Sequence, residues 1–249
     1  MIRRHWIILF LLGAAALNHP LPVLGEDVSS LINQANAAYA KREDLSQVRI
    51  AMDIYERAAT GADAPHAVEC YWKASRSAWW IGQHADDRAA QQVYHQKGMD
   101  LAKKAIHLNP DCVEAHFWLG GNQGSFGEAK GVLKSLSMVK LIRHEMAEVI
   151  RLNDHYLSGG VYHVLGAVDY KVPGFVGGSK KRAKEELEKA LAIGPKDPFN
   201  HYYLLEFCAL TGDKARARAE MEILRTLNVP PEDEPELKMV QEKASRLIK

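Results

Sequence analysis

The chain of 249 residues carries 32 lysines and arginines against 31 aspartates and glutamates, with 47% hydrophobic and 25% charged residues. Those proportions belong to a globular protein and exclude a disordered chain and a polytopic membrane protein. A charge this balanced generates no long-range field to hold nucleic acid or an anionic membrane. Met1 to His5 form a short basic region, and Trp6 to Leu17 an apolar run too short to span a bilayer. Pro20 and Pro22 break any helix, and Val23-Leu24-Gly25 puts a small residue ahead of Glu26. Residues 1–25 therefore read as a signal peptide cut after Gly25, leaving 26–249 as the folded domain. No cysteine lies near the cut, so no lipoprotein signal is read. The expectation is an exported protein, periplasmic or secreted, with no stable membrane span. Arg3 and Arg4 leave with the leader, so 30 basic and 31 acidic residues remain.

Beyond Glu26, apolar residues recur at three- and four-residue spacing, the period of amphipathic helices. Breaks at Gly61, Pro65, Pro110, Asn153-Asp154, Pro195, Pro198 and Pro230-Pro231 divide the chain into helix pairs. The pairs lie near 30–65, 66–110, 111–154, 155–195 and 196–228, and a C-terminal helix follows. Their second helices share a phase. Gly98, Ala102, Ala105 and Pro110 are spaced by 4, 3 and 5, and Ala183, Leu187, Ala190 and Pro195 repeat those spacings. Ala51, Tyr55 and Ala58 form a third copy, Val149 to Asp154 end a fourth, and Ala217, Met221 and Leu224 form a fifth. The pattern resembles the tetratricopeptide repeat, in which small residues let paired helices lie close and proline stops the second helix. Trp118-Leu119-Gly120 is close to that repeat's first-helix signature. The expected fold is all-α: an α-solenoid of about five degenerate tetratricopeptide-like hairpins. Connections within the second, third and fourth pairs read as stretched, with Gly120 to Gly127 as the loop of the third. Ser158-Gly159-Gly160 reads as a turn before a helix. Ser179 is placed to cap the helix that follows it, although three cations, Lys180, Lys181 and Arg182, oppose the helix dipole in its first turn. That conflict hints that something anionic approaches.

The segment from Tyr162 to Leu191 is more specific. An aromatic-rich helix ends near Tyr170, Val172-Pro173-Gly174-Phe175-Val176-Gly177-Gly178-Ser179 follows, and Ala183, Leu187 and Ala190 phase the next helix. Together with Ala115 to Gly120, this resembles the T component associated with tripartite ATP-independent periplasmic (TRAP) transporters. The resemblance covers most of residues 30–228, and its specific part about thirty residues. It implies an exported helical protein whose hairpins enclose a cavity, with a periplasmic solute-binding subunit as partner and a hydrophobic molecule as ligand. Two positions depart from the pattern: Ser179 stands where an acidic residue is expected, and no lipobox cysteine is present. Phe175 and Val176 are apolar residues in a Pro- and Gly-rich loop, so the 173–179 loop either gates or docks at the concavity or plugs its own hairpin.

Chemistry-bearing motifs are missing from the sequence. No HExxH, metal-ligand cluster, Gly-x-Ser-x-Gly elbow, Walker loop or Rossmann fingerprint occurs, so no catalytic residue, metal or cofactor is assigned. Cys70, Cys112 and Cys208 lack redox spacing and read as small buried hydrophobes, with a Cys70–Cys112 bridge left open. Trp79 and Trp80 are adjacent and cannot both face one packing seam, so one of them points to a groove or a partner. The candidate binding residues are Trp79, Trp80, Trp118, Asn122, Phe126, His163, Tyr170, Lys171, Pro173 and Phe175. The reading is a non-catalytic binding protein with an aromatic-lined concavity, possible homo-oligomerisation and no nucleic-acid partner. The alternatives are a peptide-gripping tetratricopeptide adaptor of the cell envelope and, in another class, a hydrolase using Cys112 or a histidine cluster.

Overall fold

The computed structural model describes residues 27–248, so the expected signal peptide lies outside the described residues. Helices account for nearly all of the described chain, and no strand occurs in it. Five antiparallel pairs follow one another: α1 Val28–Tyr39 with α2 Leu45–Gly61, α3 Ala64–Gln83 with α4 Arg88–Leu108, α5 Val113–Lys130 with α6 Val132–Asn153, α7 Tyr156–Lys171 with α8 Lys180–Ile193, and α9 Pro198–Thr211 with α10 Lys214–Thr226. A last helix, α11 Glu234–Leu247, completes the array. The architecture is a tetratricopeptide-like α-solenoid. No helix among the described residues is long and apolar enough to cross a membrane.

The starts of these helices are written locally. Asp44, Asp63, Asp87, Ser179, Asp197 and Asp213 are N-caps whose side chains accept a backbone N–H two or three residues ahead. Each cap satisfies a donor that would otherwise lack a partner, worth about 1 kcal/mol. The small phased residues do what their spacing implies. Ala51, Ala102, Ala105, Ala183 and Ala190 are fully buried between helices. At Gly98 a Cβ would meet the Asn122 side chain at 2.4 Å, so only glycine permits that approach of α4 to α5.

One polar device occurs twice. His116 on α5 stands six residues after Pro110; its Nε2 donates to the Pro110 carbonyl at 2.9 Å and its Nδ1 meets Glu145 of α6 at 2.7 Å. His201 on α9 does the same with Pro195 at 3.0 Å and Glu220 of α10 at 2.7 Å. Burial opposes the charge on each ring, but the carboxylate and the proline carbonyl outweigh it and raise both above the usual histidine value. His95 and His163 go the other way: burial pushes each down to about 4, and each ring bonds an asparagine, Asn122 or Asn200. The stability contributed by His116 and His201 is complete below pH 6.5 and is lost as pH rises through their raised values. That contributed by His95 and His163 is complete above pH 6.5 and is lost as pH falls toward 4. Urea unfolding across pH is therefore expected to show greatest stability near neutrality. His201→Gln should make the alkaline side shallower, leaving the His116 contribution, without changing the acidic side, and an unchanged profile in that variant would refute the charged pair.

The array also closes on itself. Met239 of α11 packs into the core built by α1, α2 and α3. Arg42, in the turn between α1 and α2, is 6% exposed and forks onto the Glu236 carboxylate of α11, with Nε to Oε1 at 2.8 Å, and also donates to the Glu232 carbonyl. Tyr39 and Trp80 flank the guanidinium, and the Trp80 indole N–H donates to the Arg42 carbonyl at 2.8 Å. Lys243 of α11 adds a bond to Gln83 at the end of α3, 2.6 Å long.

Two expectations about connections need correction. Gly120 to Gly127 form no loop but lie inside α5. Glycine's low helix propensity is overridden because the bare face admits neighbours: a Cβ on Gly120 would sit 2.5 Å from Met146 of α6. The connections within the second and third pairs are accordingly short, and only the fourth pair has a true linker, residues 172–179. Ser158-Gly159-Gly160 does sit at a turn before regular helix. Leu157, Ser158 and Gly159 are all left-handed, at φ 47°, 54° and 79°, which costs about 1–2 kcal/mol for each non-glycine. Tertiary bonds hold it, since Asn200 Nδ2 donates to the Ser158 carbonyl at 3.0 Å.

Candidate functional site

Closure of the array surrounds a cavity of about 690 Å³. A volume of this order suits a small organic ligand. Its wall is mostly apolar: Trp79 of α3, Phe117 of α5, Val139 and Ile142 of α6, Val164 and Val168 of α7, and Phe199 of α9. One side of α5 carries Gly120, Gly121 and Gly124, the last four and three residues beyond the other two, and these leave backbone where side chains would otherwise fill the space. A Cβ on Gly124 would meet nothing nearer than Ile142 at 3.9 Å, so the space beyond it belongs to the cavity. Trp79 is held by ring contacts to Trp118 and Phe199, with centroids 5.5 and 6.1 Å away.

Polar groups interrupt this wall, among them the charged side chains of Arg88, Glu128, Lys171, Asp197, Asp233 and Glu236. His163 is neutral, its Nδ1 donates to Asn200 Oδ1 at 2.8 Å, and its Nε2 is left as an acceptor. Asn200 is committed to that role because its Nδ2 is shared among the carbonyls of Ser158, Ala190 and Gly194. Asp197 caps α9, and burial, with Asp233 adding to it, raises its carboxyl to about 6. Lys171 ends α7 and pairs with Glu128 at 2.9 Å and Glu206 at 3.2 Å. Burial works against its charge, but these two carboxylates hold the ammonium protonated.

A family model described as TRAP transporter T-component matches residues 30–249. The chain belongs to the TRAP transporter T-component family. A T component faces the periplasm, and the family is not an enzymatic one. Among solved structures, the chain is similar to a thermophilic tetratricopeptide-repeat protein of Thermus thermophilus, with a TM-score of 0.63 and 16% identity, over 88% of this chain and 100% of that one. That likeness shows the fold alone. A comparison with curated proteins finds no match.

Of the residues singled out in the sequence, this T component brings Trp79, His163, Lys171 and Pro173 onto one cavity wall. The Trp pair divides as adjacency requires, with Trp79 on the cavity and Trp80 in the core at 2% exposure. Trp118 is buried behind Trp79 and donates its indole N–H to Tyr156 at 3.2 Å. Asn122 is buried too, bonded to Ser75, the Trp118 carbonyl and His95, and so positions helices. Phe126 packs with Met99, Ala102 and Leu119 on the opposite side of α5. Tyr170 turns to the α9 seam, touching Phe207 and donating to Glu206. Phe175 neither fills the cavity nor plugs its hairpin: it is 90% exposed.

Sequence reasoning missed Phe117, Phe199, Asp197 and the glycine face. Phe199 was findable, since it directly follows the Asp197-Pro198 start of α9. The glycine face carries a sequence signal in the four-residue spacing of Gly120 and Gly124, but the same composition is that of a loop. The cysteines are free and buried, and burial raises Cys70 and Cys208 to about 11 and Cys112 to about 12, so each is a thiol at neutral pH. Cys112 donates to Glu114, and the nearby His116 is taken by Glu145 and Pro110, so no histidine stands beside Cys112 as the hydrolase alternative requires. Among the described residues no group of three or more His, Cys, Asp or Glu side chains is placed to hold a metal.

Proposed function

We propose that this T component is a non-catalytic carrier that takes an apolar small molecule into the cavity and exchanges it with the periplasmic solute-binding subunit of a TRAP transporter. The observation that carries this reading is the wall itself, a predominantly aromatic and aliphatic surface around 690 Å³ with charged groups at separate points on it. Binding follows from apolar burial, about 25 cal/mol per Å² removed from water. The polar groups bias the choice. Beside His163 Nε2 and Asp197, which accept, a ligand end that donates a hydrogen bond is favoured, while Arg88 and Lys171 supply the cations of the wall. The test is native mass spectrometry of protein purified from its own periplasm. The expected spectrum shows a co-purifying apolar molecule, and Trp79→Ala retains about tenfold less of it at unchanged helicity. Protein that emerges bare, and takes up no fatty acid or isoprenoid on incubation, would overturn the carrier reading.

A further inference from the structure

We infer that the rim of this cavity docks on an anionic lipid surface, presenting the cavity mouth to the bilayer from which its ligand is drawn. The inference rests on the carrier reading only for the ligand; the docking itself rests on the rim. Val132 begins α6 on the cavity wall and is 75% exposed, and Leu133 beside it is 86% exposed. Pro173 lines the same cavity from the linker after α7, and Phe175 follows at 90% exposure. The Lys171–Glu128 ion pair ties the end of α7 to the end of α5, bringing these two apolar segments to one mouth. Neither sits on a floppy tip. The 174–176 turn is held by Val176 N–H to the Pro173 carbonyl at 3.0 Å and Ser179 N–H to the Asp169 carbonyl at 2.9 Å, and Arg143 and Arg182 both donate to the Gly177 carbonyl. An ordered turn that holds a phenylalanine in water is the kind of exposed apolar group that marks a contact surface.

Charge decides what that surface meets. The whole chain is nearly neutral, but segments 128–145 and 169–186 carry nine lysines and arginines against five carboxylates, Glu128, Glu145, Asp169, Glu185 and Glu186, a local excess of positive charge. Arg143 and Arg182 are engaged by the buried carboxylate of Asp169, which answers part of the charge conflict at the start of α8. Lys180 and Lys181 are both exposed, and Lys181 is met only by Glu185 of its own helix, at 4.0 Å. Exposed aromatic and aliphatic side chains flanked by exposed lysines suit an interface of acyl chains below anionic headgroups, where each lysine adds attraction that salt screens.

Flotation of the periplasmic protein with phosphatidylglycerol–phosphatidylcholine vesicles, against phosphatidylcholine alone, tests this. Binding is expected only to the anionic vesicles and is expected to fall in about 0.5 M salt. Lys180→Gln with Lys181→Gln should weaken it about thirtyfold, and Phe175→Ser about tenfold, with helicity unchanged. These rim variants should still take up a fatty acid added from solution, which separates failure of docking from failure of the cavity. Equal binding to both vesicles, or rim variants that float like the parent, would sink the proposal. So would rim variants that lose the solute-binding subunit when the parent ignores vesicles, because the face would then belong to a protein partner.

Discussion

Arg42→Met is expected to lower the free energy of unfolding by about 3 kcal/mol, measured by urea denaturation followed by circular dichroism. Arg42 is the cation at the seam where α11 meets the first pair, and its side chain is 7% exposed against 19% for its partner Glu236. Removing the guanidinium leaves the Glu236 carboxylate and the Glu232 carbonyl at that seam without their donors. Breaking a largely buried pair from one side costs about 3–5 kcal/mol, and the partial exposure of Glu236 places this case at the lower end. The same variant also tests the geometry of the site, because Asp233 and Glu236 stand on the cavity wall beside that seam. Removing the carboxylate as well, with Glu236→Leu, should restore much of the loss, since Tyr39 and Trp80 offer apolar neighbours. A wild-type midpoint for Arg42→Met alone would show that the array is held closed by other contacts.

Gly124→Leu is expected to separate stability from binding. Gly124 lies inside α5, where leucine is a better helix former than glycine by about 0.5–1 kcal/mol. Its Cβ meets no atom closer than 3.9 Å, so the first carbon fits without displacement. The remaining three carbons enter the space between Trp79, Ile142 and Val168 that a ligand would occupy. Apolar-ligand affinity should fall about a hundredfold while the urea midpoint stays level or rises, because the added side chain takes the ligand's volume. Retained affinity in a folded Gly124→Leu protein would place the ligand elsewhere.

Much of this molecule is legible without coordinates because its signals are local. N-cap aspartates, the phased alanines of α2, α4 and α8, and Pro110 and Pro195 act within a turn or two of their own positions. Adjacent tryptophans on one helix must face different ways, and they do. Where reading failed, the deciding contacts come from elsewhere in the chain. Gly120 to Gly127 carry a loop composition, yet Met146 of α6 and His95 of α4 hold that stretch as helix. Asn122 resembles a groove-lining amide until Ser75 and His95 are seen to take up its hydrogen bonds.

The sequence by itself determined that this is a stack of helical hairpins of the T-component kind, because helix period, caps and small-residue phase act over short distances along the chain. Tertiary structure alone decided that the stack closes through Arg42 and Glu236, residues 194 apart, and that the glycine face of α5 borders a hollow. Closure depends on the twist accumulated over five pairs. Small rotations add from pair to pair, and no local pattern records their sum.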